Sequence, residues 1–274
     1  MDKCTILLED TKSELSSTKV EPGLSFFIEA KGKRFLFNCG PNELFLYNAR
    51  IMNTKLNDLD FVSLSQSSYE HSSGFLAYIK DYAPNHLIIG NDFFLPKYAK
   101  KARVLTYLGC GFDRTLVEEN NIKVTEVNDF YQASENIYFM NNFNKRFSFE
   151  NIPSKYVHIK DGELEKDNFF DELALIIDNG KNLTLITAFS HQGILSMVSK
   201  IREHFKKDIC IIIGGINLAD ADDYVIDKTA NTLVKFGVKE TFLCHSSGPK
   251  ISEALNRTKK VFSHNVSTGD IIKL

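Results

Sequence analysis

The sequence has no tryptophan and no C-x-x-C pair among its 274 residues. The missing C-x-x-C pair excludes a zinc knuckle and a dithiol redox motif. The cysteines are odd in number and widely scattered, so we expect reduced, mostly buried thiols. The 22 phenylalanines predict a phenylalanine-packed core or pocket. The five cysteines are Cys4, Cys39, Cys110, Cys210 and Cys244.

A long apolar run and a strong net charge are also missing. No segment approaches the length of a transmembrane helix, and the N-terminal MDKCTILLEDTK carries too short an apolar run for a signal peptide. The net charge of −2 and the pI near 6.4 argue against a basic nucleic-acid surface or an electrostatic membrane anchor. We therefore expect a cytoplasmic protein with neither a nucleic-acid nor a membrane partner. The oligomeric state is not indicated.

Short apolar runs rich in β-branched and aromatic residues alternate with helical patterns, which is typical of an α/β protein. Several runs are continuously apolar, as in strands that are covered on both faces. The run LSFFIEAKGKRFLF is predicted to be a hairpin that turns at Lys31, Gly32 and Lys33. No boundary is indicated, so residues 1–274 are expected to form one domain. Strands are predicted at 5–8, 24–29, 34–37, 61–64, 87–89, 173–177, 183–187, 209–213 and 240–244, and helices at 43–52, 193–205, 223–236 and 250–257.

Residues 129–171 break this alternation with a mixture of Asn, Lys and aromatic residues. A long irregular stretch inside a compact domain is more often a binding loop or lid than a linker. We therefore predict a cap loop over about residues 129–171, whose aromatic side chains could stack on a flat ring. Ordinary packing of a long loop is the alternative interpretation.

Three histidines directly follow predicted strands, where open α/β sheets place their sites. His71 lies in SLSQSSYEHSSGF, His191 in TAFSHQGI and His245 in CHSSGPK. A lone loop histidine is usually solvated or hydrogen-bonded, but strand ends of one sheet converge on one rim. The three are therefore candidate ligands or bases. The ordinary interpretation is kept for the remaining histidines, His86, His158, His204 and His264.

Nucleophilic and dinucleotide sites have little support. Cys244 stands beside His245, and Ser190 beside His191, but adjacent residues on a strand point to opposite faces. No G-x-S-x-G elbow is present. The GCG at 109–111 lacks the third glycine of a dinucleotide fingerprint and is interpreted as a turn.

Ordered motifs carry a resemblance to a known family. EPGLSFFIEAKGKRFLFNCG, LFLYNA and LNDLDFVSLSQSSYEHSSGF resemble the N-terminal half of the metallo-β-lactamase superfamily, and within it the dihydropterin ribofuranosyl-aminobenzene phosphate synthase-like branch. That branch reads E-x-G-L-S-x-L-I-E, L-F-D-T-G, N-A and S-H-G-H-Y-D-H-T-G-G in the same order. NKRFSFE, DNFFDELAL, TAFSHQGI, IIGGINL and LCHSSG match its C-terminal half, so the resemblance covers nearly the whole chain.

The resemblance implies a four-layer αββα sandwich, with the site at one edge between two sheets. In the family, the two leading histidines of the first motif bind one metal ion, and its Asp and last His bind a second. Here Gln66 and Ser68 replace the leading histidines, Glu70 replaces the Asp, and only His71 is retained.

The later motifs are retained in part. His191 and His245 match the family's downstream histidines. Asn38 stands for the Asp of the F-D-T-G turn, a residue that typically orients metal ligands, and Asn217 stands for the histidine of the G-G-x-H motif.

These replacements can be weighed by ligand chemistry. A glutamine amide and a serine hydroxyl are neutral and poor ligands for zinc, so the first metal position is expected to be empty or weak. Glu70, His71, His191 and His245 together offer one carboxylate and three imidazoles, which could hold a single divalent ion, Zn, Mn or Fe.

Two functional hypotheses follow, and neither assigns a catalytic residue. The first is a mononuclear metal-dependent hydrolase or phospho-group enzyme, in which the ion would activate water. The second is a catalytically silent small-molecule-binding module on the same fold, with no metal ion. In both, we expect a small ligand that can carry a phosphate group. The candidate substrate contacts are Gln66, Ser68, Asn217, Arg146 and Lys250, with Lys145 as a further anion contact.

Overall fold

The computed structural model describes residues 2–13, 17–244 and 246–274. Within these residues the chain divides into two compact units. Unit 1 consists of Met1–Asn128, Ile152–Leu173 and Ser267–Leu274, and unit 2 of Asp129–Asn151 and Ala174–Val266. That residues 1–274 form a single domain stays a prediction.

The described residues form strands and helices along the whole chain. The strands are β1 (Lys3–Leu8), β2 (Ser25–Ala30), β3 (Lys33–Phe37), β4 (Phe61–Ser63), β5 (His86–Gly90), β6 (Lys97–Lys101), β7 (Val104–Tyr107), β8 (Lys123–Val127), β9 (Phe130–Ser134), β10 (Ile137–Met140), β11 (Tyr156–Lys160), β12 (Glu163–Lys166), β13 (Ala174–Asp178), β14 (Leu183–Thr187), β15 (Ile209–Gly214), β16 (Glu240–Leu243), β17 (Phe262–Asn265) and β18 (Ile271–Lys273). The helices are α1 (Leu44–Ile51), α2 (Tyr69–Ser72), α3 (Phe75–Asp81), α4 (Arg114–Glu119), α5 (Ile194–Phe205), α6 (Asp223–Lys235) and α7 (Pro249–Arg257).

Unit 1 contains a mixed seven-stranded sheet in the order β18-β1-β2-β3-β4-β5-β8. The pairings from β18 to β3 are antiparallel and those from β3 to β8 are parallel. Helices α1, α2 and α3 lie in the connections between the parallel strands β3, β4 and β5, as parallel pairing requires. A second, four-stranded antiparallel sheet in the order β12-β11-β6-β7 belongs to the same unit.

Unit 2 repeats this plan in a sheet of order β17-β16-β15-β14-β13-β10-β9. The pairings from β9 to β14 are antiparallel and those from β14 to β17 are parallel. Helices α5, α6 and α7 connect the four parallel strands. The carboxyl ends of β14, β15 and β16 therefore lie at one edge of this sheet.

The β2–β3 hairpin is confirmed, and its turn follows from two residues. Ala30 pairs with Lys33, which leaves Lys31 and Gly32 as a two-residue loop. Both loop residues have positive φ, 52° and 75°, which is the backbone of the type I′ turn that matches strand twist.

The phenylalanine-packed core is also confirmed. Phe26, Phe35 and Phe37 are fully buried in the sheet of unit 1, and the rings of Phe35 and Phe61 stack with centroids 4.4 Å apart. Fully buried side chains of β13, β14 and α5 form the core of unit 2. The structure describes all five cysteines; none is disulfide-bonded, and all but Cys210 are buried.

The interpretation of residues 129–171 as irregular is wrong, because the structure places β9, β10, β11 and β12 there. The strands β9 and β10 belong to unit 2, whereas β11 and β12 belong to the four-stranded sheet of unit 1. Strand β12, at the edge of the four-stranded sheet, is exposed along its length. Its sequence therefore lacks the alternation of apolar and polar residues that predicts a strand. That part of this segment caps a site stays a prediction.

No helix of the described residues is long and apolar enough to cross a membrane.

Gly90, at the end of β5, permits a close approach of two backbone segments of unit 1. A Cβ atom added there would lie 2.1 Å from the main-chain oxygen of Asp171, so Gly90→Ala must push the two segments apart. We expect the free energy of unfolding to fall by about 2–3 kcal/mol, as in other overpacked positions. Urea denaturation followed by circular dichroism measures the loss.

Gly162→Ala is the matched control for Gly90→Ala. A Cβ atom at Gly162 meets nothing within 4 Å, although the φ of 84° is unfavourable for alanine. The free energy of unfolding should then fall by only about 1 kcal/mol, because alanine disfavours this backbone conformation. Equal losses in the two variants would contradict the steric explanation.

Candidate functional site

The first histidine motif forms a tightly held loop after β4. The amide of Ser65 donates to Asn38 Oδ1 at 2.7 Å, and the carbonyl of Ser65 accepts from the amide of Leu173 at 2.7 Å. The hydroxyl of Ser72 in α2 donates to the carbonyl of Gln66 at 2.6 Å. These bonds fix the backbone of the loop 65–68 within unit 1.

His71 is fully buried, and two of the predicted site residues meet the same ring nitrogen. Gln66 Nε2 lies 2.9 Å and Ser68 Oγ 3.0 Å from His71 Nδ1. In this orientation of the Gln66 amide, its nitrogen donates, so Nδ1 accepts and the ring proton is assigned to Nε2. The side chains that replace the family's leading ligands thus bind the remaining histidine and set its tautomer.

Glu70 lies beside His71 on α2, but its carboxylate has a different partner. Glu70 Oε1 accepts a hydrogen bond of 2.9 Å from the hydroxyl of Tyr69, whose side chain is exposed. This bond raises the pKa of Tyr69, with a smaller contribution from partial burial. Glu70, which replaces the family's Asp, therefore accepts a hydrogen bond from the exposed Tyr69.

Asn38 presents a buried hydrogen-bond donor in the same loop system. Because Asn38 Oδ1 accepts from the amide of Ser65, the orientation of the Asn38 amide group is fixed. Asn38 Nδ2 and Ser65 Oγ are both buried and have no hydrogen-bond partner among the residues that the structure describes. A buried donor without an acceptor costs about 1–3 kcal/mol. The arrangement therefore favours an acceptor atom from water or a ligand.

A buried charged cluster lies next to the loop. Lys97, on β6, is 4% exposed and forms ion pairs with Asp171 and, at 3.2 Å, with Asp167. Asp171 Oδ2 in turn accepts a 2.7 Å hydrogen bond from the amide of Ser67. The cluster therefore connects the four-stranded sheet to the backbone of the first motif.

The charges of this cluster depend on one another. Burial alone would lower the pKa of Lys97, but Asp171 and Asp167 outweigh it and hold this pKa above its ordinary value. Burial raises the pKa of the Asp171 carboxyl, an effect that the Lys97 ammonium opposes. Removing the ammonium would leave Asp171 buried without a counter-charge and Asp167 with the ring of His158 alone, whose Nδ1 lies 3.6 Å from its carboxylate.

Unit 2 gathers its motif loops at the carboxyl ends of β14, β15 and β16, as predicted. The hydroxyl of Ser190 donates to the carbonyl of Gly215 at 3.1 Å, which ties the loop after β14 to the loop after β15. Ser190 therefore contacts the backbone and lies 3.2 Å from Thr187 Oγ1. His191 is 9% exposed and stacks on Phe189 with ring centroids 4.2 Å apart.

The loop after β16 contacts the loop after β15. The amides of Leu218 and Ala219 both donate to the carbonyl of Ser246, and Ser247 Oγ accepts from the amide of Ile216. Asn217 is exposed. His245 lies outside the described residues, so its predicted role as a ligand stays a prediction.

Four of these loops contain a residue in the left-handed backbone conformation. Asn38, Ser190, Asn217 and Ser246 have φ between 50° and 66°, and each closely follows one of the strands β3, β14, β15 and β16. Such residues cost about 1–3 kcal/mol each and cluster at functional sites. Ordinary turns, such as those at Lys31 and Lys206, contain the same conformation, so it does not by itself mark a site.

The predicted anion contacts are engaged in surface pairs. Arg146 pairs with Glu203, and Lys250 Nζ lies 2.8 Å from Asp223 Oδ1. Lys145 contacts the side chain of Asn151. Their roles as ligand contacts stay predictions.

The metal-ligand prediction can be compared with this geometry. Among the described residues, which leave out His245, no group of three or more His, Cys, Asp or Glu side chains is placed to hold a metal ion. Glu70 and His71 belong to unit 1, and His191 and His245 to unit 2, so this four-residue set stays a prediction. The first motif itself does not fit the family's two-metal centre, because its leading positions carry neutral groups that hydrogen-bond His71.

Sequence reasoning missed the charged cluster and one helix cap. Asp167 and Asp171 belong to the matched DNFFDELAL motif, which was the available signal, whereas Lys97 lies in a charged run that suggests a surface strand. In unit 2, Glu150 accepts hydrogen bonds from the amides of Leu195 and Ser196. Glu150 thus caps helix α5 from a distant segment, and NKRFSFE was its only signal.

The cap by Glu150 is expected to stabilise helix α5. Its carboxylate also accepts from Ser196 Oγ at 2.6 Å, and the helix has no capping side chain of its own. Burial raises the pKa of Glu150, and the bonds from Ser196 and Leu195 oppose that rise. Glu150→Ala leaves three donors without their acceptor, so we expect the free energy of unfolding to fall by about 2–3 kcal/mol in urea denaturation.

Glu150→Gln is the control for this cap. Glutamine keeps one side-chain oxygen that can accept from the helix amides, so its loss should be about half as large. A glutamine variant as unstable as the alanine variant would show that the negative charge, and not the hydrogen bonding, stabilises α5.

This architecture is similar to that of proteins of known structure. No family model matches the chain. Two solved structures share its fold over nearly its whole length. The first is Tm1679, a metal-dependent hydrolase of the β-lactamase superfamily, with a TM-score of 0.85 and 23% identity over 100% of this chain and 99% of its own. The second is the metallo-β-lactamase fold protein YhfI from Bacillus subtilis, with a TM-score of 0.54 and 13% identity over 99% and 98%.

The molecule is therefore an α/β protein with the metallo-β-lactamase fold, and the predicted fold class is confirmed. Its likeness to the metallo-β-lactamase superfamily extends over the whole chain. The chain is 27% identical to the 7,8-dihydropterin-6-methyl-4-(β-D-ribofuranosyl)-aminobenzene-5′-phosphate synthase of Methanocaldococcus jannaschii, over 99% of this chain and 96% of that protein. The resemblance inferred from the motifs is thereby confirmed.

Proposed function

We propose that this protein is a small-molecule-binding module whose first motif binds its ligand by hydrogen bonds from neutral side chains, in place of a two-metal centre. The observation that carries the proposal is Asn38, whose amide orientation is fixed and whose Nδ2 is a buried donor in need of an acceptor. An amide nitrogen has no lone pair to offer a cation. It can, however, donate to a ligand oxygen.

The surroundings of His71 support the same proposal. Gln66 holds the ring proton on Nε2, and a protonated ring nitrogen cannot bind a metal ion but can donate a hydrogen bond. Asn38 and Ser65 therefore offer buried donors beside His71, within one loop system of unit 1. The M. jannaschii relative is named for a ribofuranosyl 5′-phosphate compound, so we propose a ligand with a ribose phosphate group.

Titration calorimetry with ribose 5-phosphate tests the proposal, with and without EDTA. We expect the same affinity in both conditions, because the donors belong to side chains. Asn38→Asp keeps the acceptor for Ser65 but removes the donor, so it should weaken binding about tenfold, the value of one hydrogen bond. Asn57→Asp makes the same change in charge at an exposed position and should leave the affinity unchanged.

The mononuclear enzyme remains the alternative, since Tm1679 is named as a metal-dependent hydrolase. In that case Glu70, His71, His191 and His245 would hold one ion, which would supply Lewis-acid activation of water. Binding that disappears with EDTA, together with about one metal ion per chain after purification without chelator, would support this alternative and contradict the proposed module.

A further inference from the structure

Stability alone does not explain the buried charged cluster of unit 1. Lys97, Asp167 and Asp171 are each less than 5% exposed. Burying an ion pair costs desolvation energy that its attraction often only balances, and apolar residues of similar size are frequently as stabilising. A retained buried ion pair therefore suggests that its hydrogen bonds hold a neighbouring group in position.

The cluster holds the backbone amide of Ser67 in position. Asp171 uses one oxygen for Lys97 and the other for the Ser67 amide, at 2.7 Å. Ser67 lies between Gln66 and Ser68, the two residues that contact His71 Nδ1. The buried charge thus acts on the backbone between the two side chains that set the tautomer of His71.

We infer that Lys97 and Asp171 are positioning residues, which hold the Ser67 amide so that Gln66 and Ser68 together keep His71 in one tautomer beside the ligand-binding donors of the loop. This inference rests on the proposed function, since the loop 65–68 is its binding loop. Lys97 fixes the Asp171 carboxylate, and the aromatic ring of Phe169 lies 4.7 Å from the Lys97 ammonium on another side.

The other contacts of the loop do not replace this bond. Asn38 and Leu173 hold the peptide groups of Ser65, and Ser72 holds the carbonyl of Gln66. The carbonyl of Gln66 also accepts from the amide of Ser68 at 3.0 Å, so these contacts hold the carbonyl side of the Gln66–Ser67 peptide, whereas the contact at its amide comes from Asp171. Without it, the amide side of the Gln66–Ser67 peptide loses its acceptor, and we expect the paired contacts at His71 Nδ1 to loosen.

Two variants with a neutral cluster separate this bond from the burial of charge. Both carry Lys97→Met and Asp167→Asn; one adds Asp171→Asn, the other Asp171→Leu. Asparagine can still accept from the Ser67 amide, whereas leucine has a similar size and cannot accept. The readout is the two-bond 1H–15N correlation spectrum of the histidine rings without ligand, which identifies the tautomer of each ring. His86 serves as an internal reference, because its Nε2 contacts Thr125 in the same unit.

We expect the His71 signals of the Asp171→Asn variant to overlay those of the wild type with the proton on Nε2. In the Asp171→Leu variant the His71 signals should shift toward a mixture of both tautomers, while those of His86 stay in place. Identical His71 spectra in the two folded variants would overturn the inference, and so would equal changes in both.

A measurement on the unmodified protein covers the case in which the variants do not fold. The Ser67 amide should exchange with solvent as slowly as the amides of β4 and β5, and rapid exchange would overturn the inference. Both readouts are taken without ligand. A failure to bind ribose 5-phosphate would therefore refute the proposed function and leave the positioning role tested on its own.

Discussion

Lys97→Met is expected to lower the free energy of unfolding by about 3–5 kcal/mol, because it leaves two buried carboxylates without their counter-charge. Lys97 pairs with Asp167 and Asp171, and all three are buried. Methionine fills a similar volume, so the loss reports the missing charge and not a cavity. Urea denaturation at about pH 8 measures it, well above the ordinary carboxyl pKa.

The pH dependence gives a second view of the same substitution. Burial raises the pKa of Asp171 even beside Lys97, and it should raise this pKa further in Lys97→Met. A carboxyl whose folded pKa is raised contributes stability below its unfolded pKa, and this contribution is lost as the pH rises through the folded value. The destabilisation should therefore be clearly smaller at about pH 5 than at about pH 8.

Lys160→Met is the matched control for Lys97→Met. Lys160 lies on β11 of the same four-stranded sheet and pairs with Asp92 at 3.0 Å, but its side chain is exposed. An exposed ion pair is solvated in both the folded and the unfolded chain, so the denaturation midpoint should not change measurably. If Lys97→Met is as stable as Lys160→Met at pH 8, the carboxylates of the cluster are not charged in the folded protein.

The strands that could be predicted from the sequence are those whose own residues are apolar enough to indicate burial. The runs that became β4, β13, β14 and β15 are almost continuously apolar, which is typical of strands covered on both faces. Strands such as β7 and β12 are exposed throughout, and no such pattern marks them. They are defined by pairing with distant residues, which no local window contains.

The candidate site divides in the same way. The loops were predictable, because the strand-end rule and the family motifs both select residues after β4, β14, β15 and β16. The partners of their side chains were not. Glu70 contacts Tyr69 next to it, and Gln66 contacts His71 five residues away, but a ligand role for each was equally compatible with the spacing.

Lys97 shows why part of the site could not be predicted. Its run KYAKK has the composition of a solvated strand, and lysine is almost never buried unless it is paired. The partner that permits its burial, Asp171, is 74 residues further along the chain. Only the folded chain shows that one lysine of this run is structural.

Restoring the family's leading ligands should create a metal site that the first motif lacks. In the double variant Gln66→His with Ser68→His, two imidazoles replace neutral groups, and the amide that holds His71 in its present tautomer is removed. The ring proton of His71 can then move to Nδ1, which leaves Nε2 able to bind a metal ion. We expect the affinity for zinc to rise by roughly 100-fold or more, since changes in the support of ligands alone alter it by 10- to 100-fold. Titration against a competing chelator measures it.

The control for this gain keeps the neutral chemistry at both positions. Gln66→Asn with Ser68→Thr adds no ligand, so its affinity for zinc should match that of the wild type. If the wild type already binds zinc as tightly as the histidine variant, and loses it in His71→Ala, then His71 must be a ligand in the natural protein. Its ring proton would then lie on Nδ1, with the Gln66 amide reversed, and the mononuclear enzyme would be the better description of this site.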